Sequence, residues 1–398
     1  MAILSSQARF RAMSKVFSLP PRAPADDARE KGFSSVEEIL AELAAGRMVI
    51  ILDDEDRENE GDLIMAAEHA DAQAVAFMIR HTSGIICVPL EDERLAQLEL
   101  PQMVPSNSES FRTAFTVSVD YRHGTTTGVS SADRAASIRA LADPQARASD
   151  FARPGHIFPL RPRPGGVLVR AGHTEAAVDL CRLAGLKPAG VLCELMNDDG
   201  TMARRPQIEL FAKQHGLKIG TIADLIRYRL RTERTVERIA EQSVETILGE
   251  FRLYVYEDRV SGHAHLALAR GRLDGIAAEA PLVRVHILDP LRDLLGVRTP
   301  GRPWTLHAAL ERIVQAGNGV AVVLREPESS ADLISDLRSI GSQPAEPAEP
   351  VLRTYGIGAQ ILKDLGVRRM RVLSAPKQIH GLSAFDLEIE AYVGEELG

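Results

Sequence analysis

The chain has 398 residues, 45% of them hydrophobic and 26% charged, with a formal net charge of −8. That length and composition suit two ordinary globular domains, or two plus a tail. The negative balance argues against nucleic acid as the main partner, because a phosphate backbone needs a basic stripe. Three cysteines, Cys87, Cys181 and Cys193, are too few for a disulfide framework and point to a reducing, cytoplasmic setting. No apolar run reaches the roughly 18 residues of a membrane span, so no membrane partner is expected.

The first 25 residues carry Arg9, Arg11, Lys15 and Arg22 and no acid. This is a weak likeness to a transit peptide, and a disordered arm over 1–32, ending in the linker "PPRAPADDAREKG", is the simpler reading. Folded structure is expected from residue 33. "SSVEEILAEL" opens with a capping-box pattern, Ser35 and Glu38, and places Ile39, Leu40 and Leu43 on one face. "MVIIL" reads as a buried strand, then an acidic loop, then a second strand, "DLIMAA". "DAQAVAFMIRH" is a predicted helix, and "GIICVPL" and "AFTVSVD" are predicted strands. "SADRAASIRAL" starts a helix capped at or near Ser131. "GGVLVRAGHTEAAVDLCRLAG" reads as strand, glycine turn and helix. "AGVLCELM" is another buried strand, and "TIADLIRYRLRTE" a helix rich in arginine towards its end.

The character changes near Thr232. "TVERIAEQSVETILGEFRLYVYED" alternates like paired strands. A helix over 306–316, the strand "GVAVVLRE", the Pro-rich loop "GSQPAEPAEP" and a last helix–strand pair follow. Domains are therefore expected over 33–232 and 233–398, with no internal repeat.

Seven of the ten residues in 53–62 are acidic, and Arg57 is the one positive charge among them. Most acidic runs are solvated faces. This one lies between two apolar strands, so it is held at both ends, and like charges held close raise each other's pKa. A hard divalent cation relieves that repulsion through oxygen ligands. A calcium loop of the EF-hand type fails: with Gly61 at the sixth position, Ala67 falls where a bidentate Glu is required. A Mg²⁺-type site with few carboxylates remains.

Other segments carry chemistry. "RAGHTEA" sets Gly172, His173 and Thr174 at a predicted strand-to-helix turn, where backbone N–H groups form an anion site. Arg170 can add a bidentate phosphate contact. His173 is a candidate metal ligand or proton carrier, against a bland role as a local cap. "RPGHIFPL" places His156 between prolines in an expected rigid loop. Glu194 ends a buried strand, where a carboxylate is costly without a partner or a task. Cys87 is read as core. The set suits metal-assisted proton chemistry on a small phosphorylated substrate.

"DDEDRENEGDL", "TTGVSSADR", "RPGHIFPL", "GHTEA" and "AGVLCELMNDDGTMAR", in that order, resemble the 3,4-dihydroxy-2-butanone-4-phosphate synthases of riboflavin biosynthesis, from about residue 33 to 232. The resemblance implies conversion of ribulose 5-phosphate to the four-carbon phosphate plus formate, through enediol chemistry stabilised by Mg²⁺ or Mn²⁺, two per site, with no zinc. It implies Glu58 and His173 as metal ligands, and Arg57 and Asp62 on the substrate. It implies a phosphate cradle at Arg170, Ala171, Gly172, His173 and Thr174. Glu194, His156 and Asp62 take the catalytic roles, with Glu194 also touching substrate. Ala171 stands where the family pattern often has glycine. The family is dimeric, with sites completed across the interface, so a homodimer is expected.

The second half faintly resembles GTP cyclohydrolase II, through "GHAHLALARG", "VRVHILDPLRDLLG" and "LRTYGIGAQILKDLGVRRMRVLS". The zinc-binding thiolates of that family are missing, because no cysteine follows Cys193. Leu288 and Asp289 stand near one such position. "RTPGRPW", "REPESSADL" and "LSAPK" replace the other motifs. His263, His265 and His286 are the histidines available for a rebuilt site, but a structural, dimerising or regulatory role is the expectation. The fold class expected is α+β: a mixed-sheet α/β synthase domain with flanking helices, then a smaller α+β cyclohydrolase II-like domain without catalysis. The rivals are a bifunctional enzyme with altered nucleotide activity and a non-catalytic metal-binding scaffold.

Overall fold

The structure is a computed structural model and describes residues 16–18, 32–55, 57–274, 279–297, 304–325, 334, 350–374 and 385–394. The chain divides into two compact units, residues 24–232 and residues 1–23 together with 233–398. Both units pack helices on mixed β-sheets, an α+β arrangement. Strand β1, Val16–Ser18, pairs antiparallel with the last strand of the second unit. These three residues therefore depart from the expectation of a disordered arm, because their backbone groups find partners on a sheet edge.

In the unit over 24–232, helix α1 (Val36–Ala44) starts at the predicted capping box, with Ser35 and Glu38 each bonding the other's backbone N–H. It buries Val36, Ile39 and Leu43. Strands β2 (Val49–Leu52) and β3 (Gly61–Ala66) form an antiparallel hairpin with Leu52 opposite Gly61. The acidic segment is thus a hairpin loop. Every residue of both strands is buried, so the pair reads as an apolar run rather than an alternation.

Helix α2 (Ala72–His81) and strand β4 (Cys87–Pro89) follow as expected. Helix α3 (Asp92–Gln97) was too short to show a periodic face. The predicted strand "AFTVSVD" is regular only from Val119 in β5 (Val119–Tyr121), while Phe115 and Thr116 make isolated bridges. Helix α4 (Ser131–Ala142) is capped by Ser130, whose hydroxyl accepts the Asp133 N–H. His156 lies in a regular strand, β6 (Phe151–Leu160), and not in a loop. The neighbouring strands β4 and β5 supply hydrogen-bond partners that outweigh the breaking tendency of the prolines.

The strand predicted before Gly172 is absent. Gly165 and Gly166 adopt φ of 95° and 64°, and the chain turns into a short 3₁₀ helix, Gly166–Leu168. A buried carboxylate, Asp179, accepts the Val167 N–H and the Arg229 guanidinium, which fixes that turn. Helix α5 (His173–Leu183) then buries each residue from His173 to Cys181. Strand β7 (Gly190–Glu194) is as expected, whereas helix α6 (Arg205–His215) and strand β8 (Lys218–Thr221) were not predicted. Helix α7 (Ile222–Thr232) closes the unit. The sheet order is β5-β6-β4-β7-β3-β2-β8.

The other unit opens with the predicted hairpin, β9 (Val236–Thr246) and β10 (Gly249–Asp258). Strands β11 (Ala264–Arg270) and β12 (Leu282–Ile287) precede a one-turn helix, α8 (Pro290–Asp293). Helix α9 (Leu306–Ala316) and strand β13 (Gly319–Leu324) fall where the periodicity places them. Helix α10 (Pro350–Asp364) and strands β14 (Arg369–Leu373) and β15 (Glu388–Val393) end the fold. The sheet order is β1-β15-β14-β12-β13-β11-β10-β9, with the parallel strands grouped around β12 and β14. "GSQPAEPA", "EPESSADL", most of "RTPGRPW" and "APK" lie outside the described residues.

Candidate active site

The hairpin loop between β2 and β3 is stapled from within. Asp53 accepts the Glu58 and Glu60 N–H groups at 3.0 and 2.8 Å and the Arg57 guanidinium at 2.9 Å. From outside, Arg204 donates to the carbonyls of Glu58, at 2.7 Å, and of Asn59. Asn59 holds φ at 55°, in the left-handed region where Asn is among the better tolerated residues. The side chain of Glu58 is thereby presented from a fixed backbone. Arg57 lies beside it, donating to both Glu58 oxygens at 2.7 and 3.1 Å and stacking 5.4 Å from the Phe111 ring centroid.

His173 comes to the same place from the first turn of α5. Its Nε2 donates to the Ile51 carbonyl at 3.0 Å, because a carbonyl oxygen can only accept. That leaves Nδ1 facing Asp62 at 3.7 Å and Glu58 at 3.8 Å. A metal-binding histidine commonly anchors its other ring nitrogen in this way. Asp62 is buried, and its Oδ1 meets no hydrogen-bond donor among the described residues. Burial, reinforced by Glu194, Glu58 and Glu60 and only partly offset by His173, pushes the Asp62 carboxyl up to about 8. Burial alone would lower the His173 imidazole, but Asp62 and Glu58 outweigh it and push it up to about 9. Burial also opposes ionisation of Glu58, yet His173 and Arg57 hold its carboxyl below the usual range. A divalent cation would relieve this crowding, and His173 Nδ1 once the cation displaces its proton, the Glu58 carboxylate and the Asp62 oxygen fit one chemically.

Asp53, Glu58 and His173 also offer three ligand atoms within 4.8 Å of one another. Both Asp53 oxygens are already occupied by donors, so we assign it to holding the loop. Sequence reasoning missed Asp53 and Arg204 in these roles, although both lie inside the quoted motifs.

Glu194 ends β7 directly opposite Asp62 in the antiparallel ladder. Its Oε2 accepts the Ser83 hydroxyl at 2.6 Å. Arg170 donates to the buried Glu175 carboxylate at 2.8 Å and is held close to the start of α5. Gly172 is required there by space: a Cβ would collide with the Arg170 guanidinium and lie 2.8 Å from Glu175 Oε2. Ala171 and Gly172 lead into α5, and no acceptor among the described residues takes the N–H groups of His173 or Thr174. The helix start therefore presents donors and a nearby cation to an anion.

His156 stands apart. It lies on β6, which β4 separates from β7. Its side chain is 44% exposed, and its polar contacts are both with Asp120: Nδ1 to Oδ2 at 2.7 Å and backbone N–H to Oδ1 at 2.9 Å. Asp120, which the sequence did not single out, fixes the ring with Nε2 open. In the other unit, His265 Nδ1 accepts the Arg325 N–H at 3.1 Å and His286 Nε2 contacts the Asp293 carboxylate at 2.7 Å. Cys87, Cys181 and Cys193 are buried thiols.

The 3,4-dihydroxy-2-butanone 4-phosphate synthase family matches residues 37–228, and the GTP cyclohydrolase II family matches residues 237–394. A 3,4-dihydroxy-2-butanone 4-phosphate synthase from Pseudomonas aeruginosa is 53% identical over 366 residues, 91% of this chain and 99% of its own. A crystal structure of a two-domain 3,4-dihydroxy-2-butanone 4-phosphate synthase from A. baumannii is 44% identical, covering 91% of this chain and all of its own, with a TM-score of 0.78. A 3,4-dihydroxy-2-butanone 4-phosphate synthase solved with two magnesium ions is 47% identical, covering 50% of this chain and 99% of its own, with a TM-score of 0.50.

Proposed function

Because the chain belongs to the 3,4-dihydroxy-2-butanone 4-phosphate synthase family, lyases of riboflavin biosynthesis, we propose that it converts ribulose 5-phosphate to 3,4-dihydroxy-2-butanone 4-phosphate and formate. The observation that carries this is the meeting of Glu58, His173 and Asp62 opposite Glu194, all on the β2-β3-β7 frame and its adjoining helix.

Glu58 and His173 Nδ1 are the ligands for Mg²⁺ or Mn²⁺, two ions per site. The cation, when bound, stabilises negative charge developing on the sugar oxygens. The remaining work falls to the protein. Arg170 and the N–H groups at the start of α5 hold the phosphate. Arg57, kept in place by Asp53 and Phe111, and Asp62 orient the sugar chain. Glu194 removes the proton from carbon beside the carbonyl, with one carboxylate oxygen fixed and the other free.

His156 would serve as a second proton carrier from another direction. Its exposure and its distance in strand order from Glu194 favour a homodimer in which this imidazole completes the partner's site. The unit over 233–398 is read as structural, dimerising or regulatory. All three cysteines precede it, so a three-thiolate zinc site cannot form there. No helix of the described residues is long and apolar enough to cross a membrane, and we place the enzyme in the cytosol.

The test is formate release from ribulose 5-phosphate by the purified full-length protein, with Mg²⁺ and with EDTA, and with GTP as a parallel substrate. Metal-dependent formate from the sugar phosphate alone is expected. Formate from GTP would overturn the inactive reading of the second unit. No formate from the sugar phosphate would overturn the synthase reading.

A further inference from the structure

We propose that Ser83 is a positioning residue that aims Glu194. The inference rests on the catalytic reading of Glu194 given above. Ser83 follows α2, beside Gly84, which turns the chain with φ of 78°. It grips Glu194 at two points. Its backbone N–H donates to the Glu194 carbonyl at 2.9 Å, and its hydroxyl donates to Glu194 Oε2 at 2.6 Å.

The direction of the second bond follows from the partners of the hydroxyl. The Ile85 N–H donates to Ser83 Oγ at 3.3 Å, which occupies a lone pair. A serine hydroxyl has one proton. Glu194 Oε2, at 2.6 Å, is the strong acceptor in reach, while Cys193 Sγ lies at 3.4 Å. A residue needed only for the turn would accept from Ile85 and leave its proton to solvent. Here the proton is spent on the carboxylate, through a short hydrogen bond.

The consequence is geometric. Glu194 is half-buried at the end of β7, and among the described residues no donor reaches its Oε1. With Oε2 tied to Ser83, the carboxylate plane is set and Oε1 is the oxygen left for a substrate proton. The adjacent Thr82 strengthens the mount, because its hydroxyl donates to the Met78 carbonyl at 2.6 Å and its backbone bridges Leu195. The sequence shows this pairing nowhere, since 110 residues separate Ser83 from Glu194.

The experiment compares the full-length wild type with Ser83→Ala and Ser83→Thr. Formate release with Mg²⁺, thermal melting and the crystal structure of the Ala variant are measured. Removing a group that orients a catalytic side chain costs about 10–100-fold. Ser83→Ala should lower kcat by that factor, change KM less than about threefold and melt close to wild type, with the Glu194 carboxylate rotated. Ser83→Thr keeps a hydroxyl and should restore most of kcat. Wild-type kcat in Ser83→Ala overturns the proposal, as does a Thr variant no better than Ala. An unmoved Glu194 carboxylate in the Ala crystal overturns it too, and that readout stands even if the wild type releases no formate, a result that would sink the synthase reading separately.

Discussion

Asp62 and Glu194 are direct partners across the antiparallel β3–β7 ladder, and Asp62 Oδ1 is buried there with no donor among the described residues. Two carboxylates on paired positions repel, and an unsatisfied buried acceptor is costly. Such an arrangement weakens the free protein and marks a site kept for chemistry.

Asp62→Asn should therefore raise the stability of the cation-free protein by about 1–2 kcal/mol while lowering turnover at least a hundredfold. Calorimetry in EDTA and a formate assay measure the two effects. A variant that melts lower and works normally would place the strain elsewhere.

Glu58→Gln removes a charged ligand from a loop whose backbone is held by Asp53 and Arg204. The circular dichroism spectrum should stay that of the wild type. Mn²⁺ binding, followed by electron paramagnetic resonance, should weaken by at least tenfold, and formate release should disappear. Near-normal turnover would remove Glu58 from the metal site.

Gly172→Ala tests the phosphate cradle. The added methyl would push the Arg170 guanidinium away from its seat beside Glu175. KM for the sugar phosphate should rise about tenfold, equivalent to about 1.4 kcal/mol of lost binding. An unchanged KM would show that Arg170 does not contact the phosphate.

His265 gives a pH prediction for the second unit. It is buried, its Nε2 has no partner among the described residues, and burial, only partly countered by Asp258, lowers its pKa to about 4. The ordinary value is about 6.5. A base depressed in the fold favours its neutral form there. Its contribution is therefore intact above about pH 6.5 and lost as pH falls towards 4, on the order of 3 kcal/mol in all. Urea unfolding at pH 7 and pH 4.5 can be followed through Trp304, the single tryptophan, which is buried in this unit. His265→Gln should flatten the acid sensitivity of that transition; an unchanged slope would assign the sensitivity to another group.

Residues 24–232 form a unit of their own that holds Glu58, Asp62, His173 and Glu194. A chain ending at Thr232 should fold and retain formate release. A folded truncation with none would give the second unit a part in supporting the site.

Local chemistry was legible in the sequence. The capping box at Ser35 and Glu38, the β9–β10 hairpin, and α9 followed by β13 are written in short-range patterns that need no distant partner. The acidic loop and His173 stood out for a similar reason, as unusual residue types at marked positions, whereas Glu58 was singled out within the loop only through the family resemblance. Tertiary contacts decided the rest. Whether "RPGHIFPL" is loop or strand depended on β4 and β5 lying beside it. The absence of a strand before α5 depended on Asp179, reaching back from α5 itself to the Val167 N–H, and on Arg229, which holds that carboxylate from α7. The pairings of Asp62 with Glu194, Ser83 with Glu194 and Asp120 with His156 join residues 132, 111 and 36 positions apart. A sequence declares which side chains are available; only the sheet order brings two of them within hydrogen-bonding distance, because that distance is set by neighbouring strands and not by spacing along the chain.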